Sequence, residues 1–89
     1  MEQYTMLEYE GYEEYLLDSN VYLNGFSYEF LFDNKYGASV IKHDYSYGGK
    51  EDLFEVAYLY DREIQSDNIY GWLTNEEVLN KLEELKNRR

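Results

Sequence analysis

Residues 26–33 read Phe-Ser-Tyr-Glu-Phe-Leu-Phe-Asp, and this stretch decides the fold. Every second residue is aromatic, and a period of two is the pattern of a β-strand with one buried face. The aromatic face of this strand consists of Phe26, Tyr28, Phe30 and Phe32. Asn34 to Gly37 then predicts a hairpin turn, whose final glycine can take the positive φ that such turns need. Ala38 to His43 forms the return strand of this antiparallel pair.

A third strand is predicted on the C-terminal side of this pair. Asp44 to Asp52 forms a wide loop with Gly48 and Gly49 at its flexible centre, and Leu53 to Tyr60 forms the strand. The residues that share one face of it are Phe54, Val56, Tyr58 and Tyr60.

On the N-terminal side two interpretations remain open. Asn24 and Gly25 form a tight type I′ turn after a short strand at Asn20 to Leu23, or a single long strand carries a bulge at Gly25. Farther upstream, Thr5 and Glu8 make a capping box, so a short N-terminal helix is predicted despite the interruption at Gly11.

A C-terminal helix is predicted from about Asn75 to Asn87. Thr74 and Glu77 form a capping box, and three apolar residues recur at helical spacing, namely Val78, Leu82 and Leu85. Asp61 to Tyr70 is expected to be a polar connection between sheet and helix. The predicted fold class is therefore α+β, with an antiparallel sheet of three or four strands packed on one face by the C-terminal helix.

Composition limits the functions that this chain can have. Its 89 residues suffice for one small acidic domain, 1–89, and 19 acids against 8 bases give a formal charge of −11. Such a charge repels nucleic-acid phosphates and anionic membranes, so we expect no direct binding to either. The absence of Cys excludes disulfides and thiolate catalysis and fits a reducing cytosol. No apolar run approaches the roughly 18 residues of a membrane span, and we expect a cytoplasmic protein.

The stretch from Tyr28 to Leu85 resembles a group of small uncharacterised phage and prophage proteins of bacteria. The similar residues are Gly37-Ala38-Ser39-Val40-Ile41, Tyr45-Ser46-Tyr47-Gly48-Gly49, Leu53 to Leu59, and Gly71-Trp72-Leu73-Thr74 leading into Glu76-Glu77-Val78. The resemblance covers about two thirds of the chain and implies a phage origin, and with it the cytoplasm of the host cell. Residues 1–24 lie outside it.

We expect no enzyme activity, no cofactor and no metal site. The single His, His43, is flanked by Asp44, but neighbours on a strand point to opposite faces, so we predict a half-exposed strand residue. Gly48-Gly49-Lys50 lacks the first glycine and the Ser or Thr of a phosphate-binding loop. Asp18-Ser19-Asn20 begins like a calcium loop but continues with apolar residues where a ligand and a glycine should stand. One His without Cys makes a zinc site improbable.

Surface recognition is the function that remains. Residues 1–34 contain eight acids and no Lys or Arg, and the chain holds twelve Tyr. Acids steer a basic partner, and tyrosines are enriched in interfaces. The predicted partner-binding residues of this region are Glu8, Tyr9, Glu10, Tyr12, Glu13, Glu14, Tyr15 and Asp18. Tyr45 and Tyr47, on the glycine-containing loop, are predicted to form a second contact.

These features predict an inhibitor or modulator that binds a host or phage protein with a basic surface. The target would be a defence or nucleic-acid-processing protein, and the carboxylates would stand in for nucleic-acid phosphates. Two alternatives stay open. The acids could serve only to keep a monomer soluble, or the protein could be an assembly component that forms a homodimer through the aromatic face of the sheet.

Overall fold

The domain consists of a five-stranded antiparallel sheet followed by one helix. Within the sheet, the strands lie side by side in the order in which they occur along the chain. The computed structural model describes residues 4–89. The strands are β1 (Leu16–Tyr22), β2 (Gly25–Leu31), β3 (Tyr36–Lys42), β4 (Phe54–Tyr60) and β5 (Glu63–Leu73), and the helix is α1 (Asn75–Lys86). The α+β class is confirmed. The sheet has five strands rather than three or four.

The fifth strand occupies the region that was expected to be a polar connection. β4 turns into β5 through Asp61 and Arg62, whose φ angles of 52° and 66° are those of a type I′ turn. Four residues, 65–68, bulge out of β5 opposite the single residue Tyr58. Because the turn-forming residues Ser66, Asp67 and Asn68 lie in this bulge, their composition conceals the strand.

A second type I′ turn joins β1 to β2, which confirms the hairpin and excludes one long strand. Its two central residues are Leu23 and Asn24, with φ of 48° and 67°, one position earlier than predicted. In the turn between β2 and β3, the residue with positive φ is Lys35, at 74°, and not the glycine. Gly37 lies inside β3, where a Cβ would stand 2.2 Å from the carbonyl oxygen of Phe30. That glycine is required for close packing of backbones.

The aromatic face of β2 forms the hydrophobic core. Phe30 is fully buried, Tyr28 and Phe32 are buried, and Phe26 packs half-buried against them. Helix α1 packs on the neighbouring strands β3 to β5 and completes this core with the predicted apolar residues Val78, Leu82 and Leu85, all inaccessible to solvent. Since the aromatic face is the interior of the domain, the prediction that it serves for self-association is wrong.

The start of α1 is confirmed in detail. The Thr74 hydroxyl accepts a hydrogen bond from the Glu77 N–H at 3.2 Å, and the Glu77 carboxylate accepts one from the Thr74 N–H at 2.9 Å. Both bonds satisfy N–H groups that a helix start leaves without partners. The capping box therefore fixes where the chain leaves β5 and enters the helix.

The N-terminal segment, residues 4–15, has no α-helix and is irregular, with a turn at Glu10 and Gly11 and one 3-10 turn at Glu13–Tyr15. The expected helix fails because Gly11 adopts φ of 96° and Thr5 bonds to the Asp52 carboxylate instead of capping a helix. The segment crosses the core face beside α1, where Leu7 is buried and its N–H donates to the Tyr28 hydroxyl at 3.1 Å. It supplies part of the cover of the core.

A buried ammonium group anchors this segment. Lys42 is 1% exposed, and its Nζ lies 3.0 Å from both the Thr5 carbonyl oxygen and the Asp52 carboxylate. It also lies 3.7 Å from the centre of the Phe54 ring, a cation–π contact. Burial raises the pKa of Asp52, but the hydrogen bonds from Thr5 and Lys42 outweigh it and keep that pKa below its usual value. The charged pair ties the N-terminal segment to β3.

Candidate functional site

Three tyrosines of the predicted N-terminal contact are turned towards the core. The Tyr9 ring packs edge-on against Phe30, with ring centres 5.7 Å apart, and the Tyr15 ring lies 4.9 Å from that of Phe32. Tyr12 is also half-buried, and its hydroxyl donates to the Glu83 carboxylate of α1 at 2.6 Å. Tyr9, Tyr12 and Tyr15, which were predicted to bind a partner, are therefore half-buried, and their rings pack against the core.

The Tyr12–Glu83 bond predicts how stability depends on alkaline pH. Desolvation and the neighbouring carboxylate raise the pKa of Tyr12 from 10.0 to about 12, so the folded state favours the neutral phenol. The contribution is present below pH 10 and is lost as the pH rises towards 12. We expect the urea midpoint to fall over this interval, and the fall to be smaller in Tyr12→Phe, which cannot ionise. If the urea midpoint, measured by circular dichroism from pH 9 to 12, falls equally steeply with pH in both proteins, this linkage is ruled out.

The acids of the predicted N-terminal contact do lie on the surface. Five of the predicted partner-binding residues are exposed carboxylates, namely Glu8, Glu10, Glu13, Glu14 and Asp18. Another acid of the same stretch, Glu2, lies outside the described residues. The structure thus separates the two components of the predicted contact, with carboxylates facing solvent and tyrosine rings facing the core.

An exposed aromatic cluster lies at the other predicted contact. Tyr45 is 79% exposed, Tyr47 is 58% exposed, and Trp72 at the end of β5 is 56% exposed. The Tyr47 and Trp72 rings stack with their centres 5.6 Å apart and their planes at 14°. We call Tyr45, Tyr47 and Trp72 the aromatic end of the sheet. The two tyrosines were predicted from the sequence as a contact, whereas the tryptophan was not.

The backbone holds this stack in place. The Trp72 N–H donates to the Tyr47 carbonyl at 3.2 Å, and Trp72 itself adopts φ of 54°, a left-handed conformation that is costly for a bulky residue. A Cβ on Gly48 would stand 2.8 Å from the Trp72 Cα, and one on Gly71 would stand 2.4 Å from the Tyr47 Cβ. Both glycines therefore permit the approach of loop and strand that brings the two rings together.

A bulge in β5 explains why Trp72 faces solvent. Gly71 and Trp72 together stand opposite the single residue Glu55 of β4, so the register shifts and Leu73 returns to the core. The Glu55 carboxylate accepts a hydrogen bond from the Tyr47 N–H at 2.8 Å. The only signal in the sequence was a lone Trp directly after a glycine.

His43 is buried at the base of the loop, which corrects the expectation of a half-exposed strand residue. Its Nδ1 accepts a hydrogen bond from the Tyr45 N–H at 3.1 Å. The Ser46 hydroxyl bonds to the backbone N–H and C=O of His43 and not to the imidazole. This arrangement shapes the loop and does not activate Ser46 as a nucleophile.

The turn between β1 and β2 adjoins the aromatic end. The Asp44 N–H donates to the Leu23 carbonyl at 3.3 Å, and the Tyr22 ring packs edge-on against His43 with centres 5.5 Å apart. Tyr22 and Leu23 are both exposed. The exposed Tyr22 and Leu23 thus lie next to His43 and Asp44 at the base of the loop.

Within residues 4–89, no three His, Asp or Glu side chains are placed to hold a metal ion together. Over the same range, no helix has the length and apolar character that crossing a membrane requires. Comparisons of the chain with protein-family models, curated proteins and solved structures found no significant match.

Proposed function

We propose that this protein is a binding module that docks on a partner protein through the aromatic end of its sheet. The observation that carries the proposal is the exposed Tyr47–Trp72 stack, next to a loop that also carries the exposed Tyr45. Trp and Tyr are the residues most enriched among interface hot spots, because they offer a large rigid contact area with a polar tip. Exposed rings on a strained, glycine-dependent backbone are costly unless they are used.

The negative charge selects the kind of partner. The formal charge of −11 and the exposed acids of the N-terminal third attract a positively charged surface and raise the rate of association. The proposed role is that of an inhibitor or modulator of a host protein in the host cytoplasm, with binding and not catalysis as its activity. In this division of roles, carboxylates govern encounter and aromatic rings govern residence time.

Paired substitutions test this proposal. The tagged protein captures its partner from a lysate of the bacterial host, and biolayer interferometry then measures binding of the purified partner. Trp72→Ala and Tyr47→Ala should each weaken binding about 30-fold, the effect of a hot spot of about 2 kcal/mol, mainly through faster dissociation. Lysine substitutions at Glu10, Glu13 and Glu14 should instead slow association, and less so at high salt.

The matched control is Tyr60→Ala. Tyr60 is also an exposed aromatic residue on the sheet, but it lies at the opposite end of β4, against the Tyr36 ring. We expect it to leave the dissociation rate unchanged. If Trp72→Ala and Tyr60→Ala behave alike, the aromatic end is not the docking surface.

If the carboxylates of this protein mimic nucleic-acid phosphates, one further result is required. A partner that binds nucleic acid must release a labelled duplex when this protein is added, because both would occupy one basic groove. Fluorescence anisotropy measures this competition. A partner that holds duplex and protein together with unchanged affinities contradicts mimicry and leaves the docking proposal intact.

A further inference from the structure

The free edge of β1 is a second surface of defined chemistry. Within residues 4–89, β1 pairs only with β2, in regular register from Asp18 to Tyr22. Because the turn has two central residues, Tyr22 and Gly25 form a hydrogen-bonded pair, and such pairs alternate along an antiparallel ladder. Ser19 and Val21 therefore direct their N–H and C=O groups outward, away from β2.

The two edges of the sheet differ in how they are protected. β5, at the other edge, is interrupted by its two bulges, which disrupt pairing with a further strand. β1 has one register shift, between Leu16 and Asp18, and contains neither Lys nor Pro, the residues that usually block an edge. All its residues from Leu17 to Tyr22 are exposed. The edge of β1 is thus open to strand addition.

Charge identifies the occupant. β1 carries Asp18 and follows the 3-10 turn that contains Glu13 and Glu14. A cation near it, Arg62, is ion-paired at 2.9 Å with Glu29 on β2. A second copy of this chain would bring acid against acid between two molecules of charge −11. An extended segment with basic side chains removes that repulsion, and its apolar side chains can lie beside Val21, which is 79% exposed.

We infer that β1 binds, by strand addition, an extended partner segment of about seven residues in which Lys or Arg alternates with apolar residues. Main-chain hydrogen bonds to Ser19 and Val21 supply affinity. Asp18 and the preceding carboxylates supply specificity for basic side chains. This inference goes beyond the aromatic end and does not depend on it.

A synthetic peptide tests the inference directly. The probe is an end-blocked Lys-Val-Lys-Val-Lys-Val-Lys peptide, added to the isotope-labelled full chain and followed by NMR. We expect saturable binding that slows amide hydrogen exchange of Ser19 and Val21 at least tenfold. A Glu-Val peptide of equal length should not bind. Unchanged exchange at both amides under saturating Lys-Val peptide overturns the inference.

Two controls separate strand addition from general charge attraction. Val21→Pro removes one outward N–H at an edge position where proline is tolerated, and it should abolish binding while circular dichroism stays unchanged. A probe with N-methyl groups on every backbone amide keeps its charge but loses its donors on both edges, so it tests the inference even if that variant fails to fold. Equal affinity of the methylated probe contradicts strand addition. Light scattering that shows dimers dissociated by Val21→Pro would assign the edge to a second copy instead.

Discussion

Phe30→Ala should lower the free energy of unfolding by about 3 to 5 kcal/mol, the usual cost of emptying a fully buried aromatic site. Phe30 is inaccessible to solvent and lies between the sheet and Tyr9 of the N-terminal segment. Without this ring, β2 and the N-terminal segment lose the contact between Phe30 and Tyr9. Since the total free energy of unfolding of a small domain is about 5 to 15 kcal/mol, the variant should be close to unfolding at 37 °C.

The matched control is Phe26→Ala on the same face of the same strand. Phe26 is only half-buried, so the cost should be clearly smaller. Urea unfolding at 25 °C, followed by circular dichroism, measures both variants. Equal losses would contradict the position of the core between β2 and the N-terminal segment.

Asp52→Asn should cost about 1.5 to 3 kcal/mol, because it removes the charged acceptor of the buried Lys42 ammonium. Asparagine keeps the shape of the side chain and tolerates the left-handed backbone, with φ of 62°, at this position. The substitution therefore removes the charge and one of the two oxygens that accept hydrogen bonds from the Thr5 N–H and hydroxyl, while the backbone is kept. Urea unfolding again measures the loss.

The second substitution Lys42→Met distinguishes a buried charge from a general defect. Methionine fills much of the same volume and needs no acceptor, so the double variant should be less destabilised than the sum of the two single variants, by about 0.5 to 3 kcal/mol. Additive losses would show that Lys42 and Asp52 do not act as a pair.

The parts of the fold that could be predicted from the sequence are those with strong local patterns. The alternation in residues 26–33 and the capping box at Thr74 each specify one element through short-range rules, and both were confirmed. β5 was missed because its pairing with β4 tolerates a four-residue bulge, which only the tertiary structure reveals. The N-terminal segment was misassigned because the partners of Thr5 and Leu7 lie far away in sequence, at Asp52 and Tyr28.

The candidate site was predictable to a lesser degree. Tyrosine is amphipathic, so composition alone does not distinguish the packed Tyr9 from the exposed Tyr45. Trp72 faces solvent because of a one-residue bulge opposite Glu55, an event of register and not of hydropathy. The loop tyrosines were found because aromatic residues on a flexible, glycine-containing loop are costly to expose unless they are used.

Burial of the aromatic end of the sheet on partner binding can be followed directly through Trp72. It is the single tryptophan of the chain, so 5-fluorotryptophan gives one fluorine resonance that the partner's own residues do not obscure. In the free protein, the exposed ring should show a solvent-isotope shift between water and deuterium oxide. On addition of the captured partner, we expect the resonance to move and this isotope shift to disappear. An unchanged resonance that keeps its isotope shift in the assembled complex would show that the partner does not dock on the aromatic end.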